Sequence, residues 1–244
     1  MSAPRFLVGI CAGLAVVSPA AAQPWVRSQA QTVTPTAAAA PAPKPNPFPW
    51  LADVPADHRD AVAVVVKQPT LSAKFTEETF TAHPKVYTWL LDHPDRAAAG
   101  WVRVGVPSVA IDDLKDGRFR WKDENGSDLT WRTVAGYADG RVWYAAGQVK
   151  ASPLFPMVPV KAVAVLRHPS KPAADGAETY TPSIEVYFQT DSKAATTVLR
   201  LFGPAAPRMA EDGAEQLLFF FSGLARHLHK HPDKVPSVLA PVRK

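Results

Sequence analysis

The sequence predicts an α+β fold: an antiparallel meander of about five to six strands packed against N-terminal helices and a long C-terminal helix. Three observations carry this. Apolar residues recur at helical spacing between Pro207 and Lys230. Aromatic and β-branched residues alternate with polar ones between Phe119 and Phe188. Turn signals, Asn125-Gly126 and Asp139-Gly140, punctuate that alternating region.

Composition bounds the class. Of 244 residues, 47% are hydrophobic and 20% charged, enough apolar material for one core and too little charge for a disordered chain. The formal charge is +5, one unit of it from Arg5, and the bases are spread along the sequence. Nucleic-acid binding calls for a concentrated basic stripe, so that class is set aside.

Residues 1–22 read as a secretory signal peptide. Arg5 gives a positive n-region, Phe6 to Val17 an apolar stretch, Pro19 a break, and Ala20-Ala21-Ala22 a small-residue cleavage site. The apolar run is too short to cross a bilayer, and no later stretch reaches the ~20 residues a membrane helix needs. Export to periplasm or medium is the expectation. Cys11, the single cysteine, leaves with the leader; Ile10 before it does not suit a lipid-modified cysteine. The remaining chain then has no thiol for a disulfide, a nucleophile or a thiolate metal site. Residues 23–50, rich in Ala, Pro, Thr and Gln, form an extended linker, with proline at nearly every second position in Ala37 to Pro49. Residues 51–244 are read as a single domain.

The domain's elements follow in order. Asp57 as a cap and the length of the segment predict a helix over Pro55 to Lys67, although Val64-Val65-Val66 would also suit a strand. His83-Pro84 and His93-Pro94 each mark a helix entry, with proline in the first turn; Gly105 and Pro107 end the second helix. Trp89 and Trp101 are core anchors on these two helices. In Arg118-Phe119-Arg120-Trp121-Lys122 and Leu129-Thr130-Trp131 the aromatics alternate, and register can be derived. A three-residue loop, Glu124-Asn125-Gly126 with Gly126 left-handed, sets Trp121 opposite Leu129 and Phe119 opposite Trp131; a two-residue loop would send the apolar faces to opposite sides. Arg141 to Ala145 carries aromatics on both faces, which leaves its orientation open. Val158 to Arg167 fits a strand covered on both sides, Ile184, Val186 and Phe188 alternate, and Val109 to Leu114 is a possible sixth strand. Asp191 or Ser192 caps a helix to Phe202, and the final helix follows. Its stripe is Leu217, Leu218, Phe221, Leu224, Ala225 and Leu228, with Phe219 on the opposite side, either covered by another part of the chain, for which the segment around Phe48 and Trp50 is a candidate, or exposed for a partner.

Helices, an antiparallel meander and a long terminal helix: over about Pro55 to Pro232 this order resembles the helix-grip superfamily, which includes START-like and polyketide-cyclase-like proteins. It departs from that pattern in beginning with a helix rather than a strand. The resemblance implies a cavity between sheet and terminal helix that holds an apolar ligand.

Chemistry is marked mostly by absences: there is no Gly-x-Ser-x-Gly, His-Glu-x-x-His, phosphate loop or Gly-x-Gly-x-x-Gly. His227 and His231 share a helix face at i, i+4, a spacing that can hold a metal, but read better as bases complementing the helix terminus; no metal or other cofactor is expected. Asp112-Asp113-Asp116 and Asp123-Glu124-Asp128 flank turns and read as solvated loop ends. Glu185 and His168 form a base-and-orienter pair only if the fold brings them together. The leading reading is an exported, non-enzymatic domain that binds an apolar small molecule or a protein partner, in a site lined by Trp121, Trp131, Phe188 and Leu217. A hydrolase using Asp, Glu or His in a cleft, and a structural component of the cell envelope, are the alternatives.

Overall fold

The alternation at 118–131 becomes the spine of a sheet. A computed structural model of the chain describes residues 47–150, 154, 156–190, 193, 203 and 205–240. In it β4 (Arg118–Lys122) pairs with β5 (Asp128–Tyr137) in the register derived above, Trp121 opposite Leu129 and Phe119 opposite Trp131. Gly126 has φ +94°, the left-handed backbone that the three-residue loop requires. Counting from the N-terminus, the other strands of this sheet are β1 (Leu71–Thr76), β3 (Ile111–Asp113), β6 (Gly140–Val149), β7 (Val158–Arg167) and β10 (Ser183–Gln189). Their order is β1-β10-β7-β6-β5-β4-β3, with every neighbouring pair antiparallel. A second sheet of three short strands has the order β2-β9-β8, from β2 (Phe80–Ala82), β8 (Ser170–Pro172) and β9 (Glu178–Tyr180).

The helices form where expected. α1 (Ala56–Lys67) buries Val62, Val65 and Val66, so the valine run packs as a helix face. Asp57 is not its cap: Pro55 occupies the N-cap position, its carbonyl taking the amides of His58 and Arg59, while Asp57 lies in the first turn. α2 (Pro84–Asp92) and α3 (Pro94–Arg103) each begin with proline in the first turn. α3 ends in a Schellman pair, Val106 N–H to the Trp101 carbonyl and Gly105 N–H to that of Val102, with Gly105 at φ +86°. Trp101 is buried and donates its indole N–H to the Phe220 carbonyl at 2.8 Å; Trp89 is half-buried and stacks on His93. α4 (Ala205–Lys230) buries Leu218, Phe221, Leu224, Ala225 and Leu228 of its apolar stripe, which removes on the order of 10 kcal/mol of apolar surface from water before entropy is charged. A single turn, α5 (Val235–Val238), follows. The helix expected over 191–202 lies outside the described residues, as do the leader and most of the linker.

α4 packs mainly on β1, β10 and the small sheet, with α2 and α3 beside it, and α1 covers the opposite face of β7 and β10. The last strand of the large sheet returns beside the first, two helices follow β1, and the long helix lies on the sheet. These are the features of a helix-grip fold. The apparent departure at the N-terminus resolves: α1 is an addition ahead of β1, a strand that Leu71-Ser72-Ala73-Lys74-Phe75-Thr76 signals only weakly. The small sheet was also not foreseen. Only Ala162 to Leu166 of β7 is buried throughout, and α1 packs on this strand. Phe219 stacks its ring on Trp101 of α3 at 5.9 Å.

Candidate functional site

Antiparallel pairing fixes which residues share the face toward α4. One row across the sheet reads Leu71, Phe188, Ala162, Ala145, Trp131, Phe119, from β1 to β4. The next reads Val160, Gly147, Leu129, Trp121, Ile111, from β7 to β3. Small side chains therefore occupy the middle strands, with Phe188 on one side and Trp131, Phe119, Leu129 and Trp121 on the other. Phe188 and Trp131 stand three strands apart, about 14 Å. By register, a strip of small residues, Ala145, Gly147 and Ala162, lies between aromatic walls as the floor of a candidate trough, with both alanines buried.

Burial divides the face in two. Trp143, Ala164, Leu166, Ile184 and Val186 are buried in the core that includes α4, Trp143 stacking on Phe221 at 5.6 Å. Phe119, Trp121, Leu129, Trp131 and Phe188 are only half-buried. Three of the four residues chosen from sequence, Trp121, Trp131 and Phe188, thus lie on one face at the trough's edges. Leu217 sits on α4, half-buried against the same core. The floor residues were missed, although their signal is in the sequence: small residues at every second position in Ala145-Ala146-Gly147 and Ala162-Val163-Ala164. The orientation of β6 is settled as well: Trp143 and Ala145 face inward, Val142 and Tyr144 outward.

The trough holds little charge. By register, Asp113 and Arg141 are the charged sheet positions on this face. Asp113 accepts Lys115 Nζ at 2.6 Å and the Lys115 amide, which hold its carboxyl below the usual range; Arg141 donates Nε to Asp92 at 3.0 Å. The Trp121 indole nitrogen is closed off from solvent and, among the described residues, has no hydrogen-bond partner.

Among the described residues, the titratable groups weighed from sequence do not converge in one cleft. Glu185 points to the outer face, where Lys74 Nζ at 2.7 Å and Tyr187 Oη at 2.8 Å hold it. Burial pushes its carboxyl up, but these two bonds outweigh it and leave the group below its ordinary value. His168 is buried at the far end of β7, edge-on to Tyr87 and Tyr180, and burial depresses its imidazole below the ordinary range. The pair weighed from sequence therefore does not meet. In the second carboxylate cluster, Asp128 receives Arg120 Nε at 2.7 Å, which lowers its carboxyl, and Asp123 caps the turn by accepting the Ser127 amide. His227 and His231 do approach, with ring centroids 4.7 Å apart, but no third ligand joins them among the described residues. A separate open depression of about 350 Å³ lies beside the β5 bulge, lined by Asp53, Pro55 and residues 133–137. Its lining carries one carboxylate and one phenol and lacks the trough's aromatic walls.

No protein-family model and no curated protein matches the chain. Among solved structures, a conserved protein from Geobacillus kaustophilus aligns at TM-score 0.41 and 10% identity, over 65% of this chain and 97% of that one. Ara h 8.0201 aligns at 0.38 and 12%, over 66% and 99%. The di-domain ARO/CYC StfQ from the steffimycin biosynthetic pathway aligns at 0.37 and 12%, over 73% and 56%.

Proposed function

We propose that this chain is an exported, non-enzymatic binding domain that holds an apolar small molecule in the trough between Phe188 and the Trp121–Trp131 wall. The observation that carries the reading is the row Phe188, Ala162, Ala145, Trp131: bulky aromatics left half-buried on either side of alanines, about three strands wide. A sheet face with no ligand to accommodate gains by placing large side chains in its middle, where burial per residue is greatest. Small residues there keep space open at a cost in stability. The non-enzymatic part rests on the separation of Glu185, His168 and the carboxylate clusters. Export rests on the leader-like residues 1–22.

The test fills the floor. Ala145→Leu places an isobutyl group between the walls, and titration with the apolar fluorophore N-phenyl-1-naphthylamine reads the result. Binding to the unaltered domain, weakened about tenfold or more in the variant while the unfolding transition stays cooperative, supports the assignment. Equal affinity in both proteins would place the probe elsewhere and sink it.

A further inference from the structure

We infer that the small sheet β2-β9-β8 is an acid-released flap: protonation of His168 lifts it away while the large sheet stays folded. This stands apart from the trough and does not need it. His168 and Pro169 are the whole connection between β7 of the large sheet and β8 of the small one. The His168 amide is anchored to the large sheet, donating to the Asp139 carbonyl at 2.7 Å, while its ring lies edge-on to Tyr180 of β9 and Tyr87 of α2. The residue is 3% exposed, and neither ring nitrogen has a hydrogen-bond partner among the described residues. A neutral imidazole brings one N–H donor into that enclosure; an imidazolium brings two and a charge. Lifting the flap returns the ring to water, so the open state takes the proton that the closed state resists.

The groups around the ring serve the charged form poorly. Arg141 of β6 repels it, Asp139 in the β5–β6 turn and Glu178 of β9 attract it, and burial outweighs them, holding the imidazole below its ordinary range. Glu178 is already engaged by Ser170 Oγ at 2.7 Å, and Arg141 by Asp92 at 3.0 Å. From α4, Arg226 lies over the Phe80 ring at 5.4 Å and pairs with Glu77 in the β1–β2 connection. The flap itself is held lightly. Its three strands have three residues each, and β8, which carries Pro172, is exposed throughout. Short, exposed ladders open at a lower free energy than a core sheet, so a cost placed at His168 is relieved there first.

The experiment is amide hydrogen exchange on the full chain at pH 7 and pH 5.5, each rate divided by its random-coil value. Thr181, whose amide bonds the Pro169 carbonyl at 3.0 Å, and the amides of β9 report the flap; Val163 and Val165 of β7 report the large sheet. With the ordinary value of 6.5 in the open state, protection at the flap should fall about five- to eightfold over that interval while Val163 and Val165 hold theirs. His168→Phe, which keeps a ring beside Tyr87 and Tyr180, should remove the difference. Equal losses in the two sheets, or flap protection that does not change with pH, would overturn the inference, as would a folded His168→Phe that keeps the flap's response. Should that variant not fold, the unaltered chain still decides: an NMR titration of the His168 ring must show a midpoint below 6.5, and a midpoint at or above it refutes the flap.

Discussion

Gly147 is where floor and fold meet, and replacing it with alanine has a calculable effect. A Cβ built there would sit 2.1 Å from the backbone oxygen of Asp128 and 2.9 Å from the Leu129 Cα. Ordinary contact begins at 3.4 Å, so β5 and β6 would have to part by about 1.3 Å at a point where both obstacles are backbone. No side chain can swing aside to relieve it. Overpacking of this kind costs about 1–3 kcal/mol, and losing a ladder hydrogen bond adds about 1 more, so Gly147→Ala should destabilise by about 3 kcal/mol. The same change at Gly213 has the opposite expectation. That glycine lies inside α4, exposed, with nothing within 4 Å of a built Cβ, and alanine there gains about 1 kcal/mol of helix propensity. Urea unfolding of the two variants beside the unaltered chain is the assay. With a slope of about 2 kcal/mol per molar, the midpoint should fall by about 1.5 M for Gly147→Ala and rise by about 0.5 M for Gly213→Ala. A neutral Gly147→Ala, or two shifts of the same sign, would refute the close approach of β5 to β6.

Two further outcomes follow from buried polar groups. Trp101→Phe keeps a ring against Phe219 but removes the donor to the Phe220 carbonyl, and should cost about 1–2 kcal/mol by the same urea assay. His168 gives a pH dependence. Burial depresses its folded-state value below the ordinary 6.5, so the unfolded chain takes up the proton first. Stability is therefore full above about pH 6.5 and declines as the pH falls below it. Tyr87 from α2, Tyr180 and Glu178 from β9, Arg141 from β6 and Asp139 from the β5–β6 turn surround the ring, and Arg141 adds repulsion to the charged form. His168→Phe should flatten this acid limb between pH 7 and pH 5. It should not abolish it, since His227 is depressed in the same direction by burial and by His231. An unchanged slope would contradict the buried, neutral assignment.

What the sequence made legible was whatever repeats locally. The stripe of α4 and the proline entries of α2 and α3 are decided within one or two turns. The three-residue loop before β5 fixes a register because only that loop leaves Trp121, Leu129, Phe119 and Trp131 on one face. β1 was missed because Leu71, Ala73 and Phe75 alternate over only six residues, and its strand character comes from β10, more than 100 residues away. The small sheet was missed for the same reason, since each of its strands has three residues. At the site, the aromatic walls were visible because tryptophan in an alternating strand draws notice. The floor was not, because Ala145, Gly147 and Ala162 gain meaning only once pairing places them side by side.

The account's central claim is that an apolar molecule binds over that floor, and amide chemical-shift mapping with N-phenyl-1-naphthylamine tests it most directly. The account predicts perturbations concentrated at 119–131, 145–147, 160–162 and Phe188, saturating with the fluorescence change. Perturbations gathered instead around Asp53 and residues 133–137, at the depression beside the β5 bulge, would contradict it.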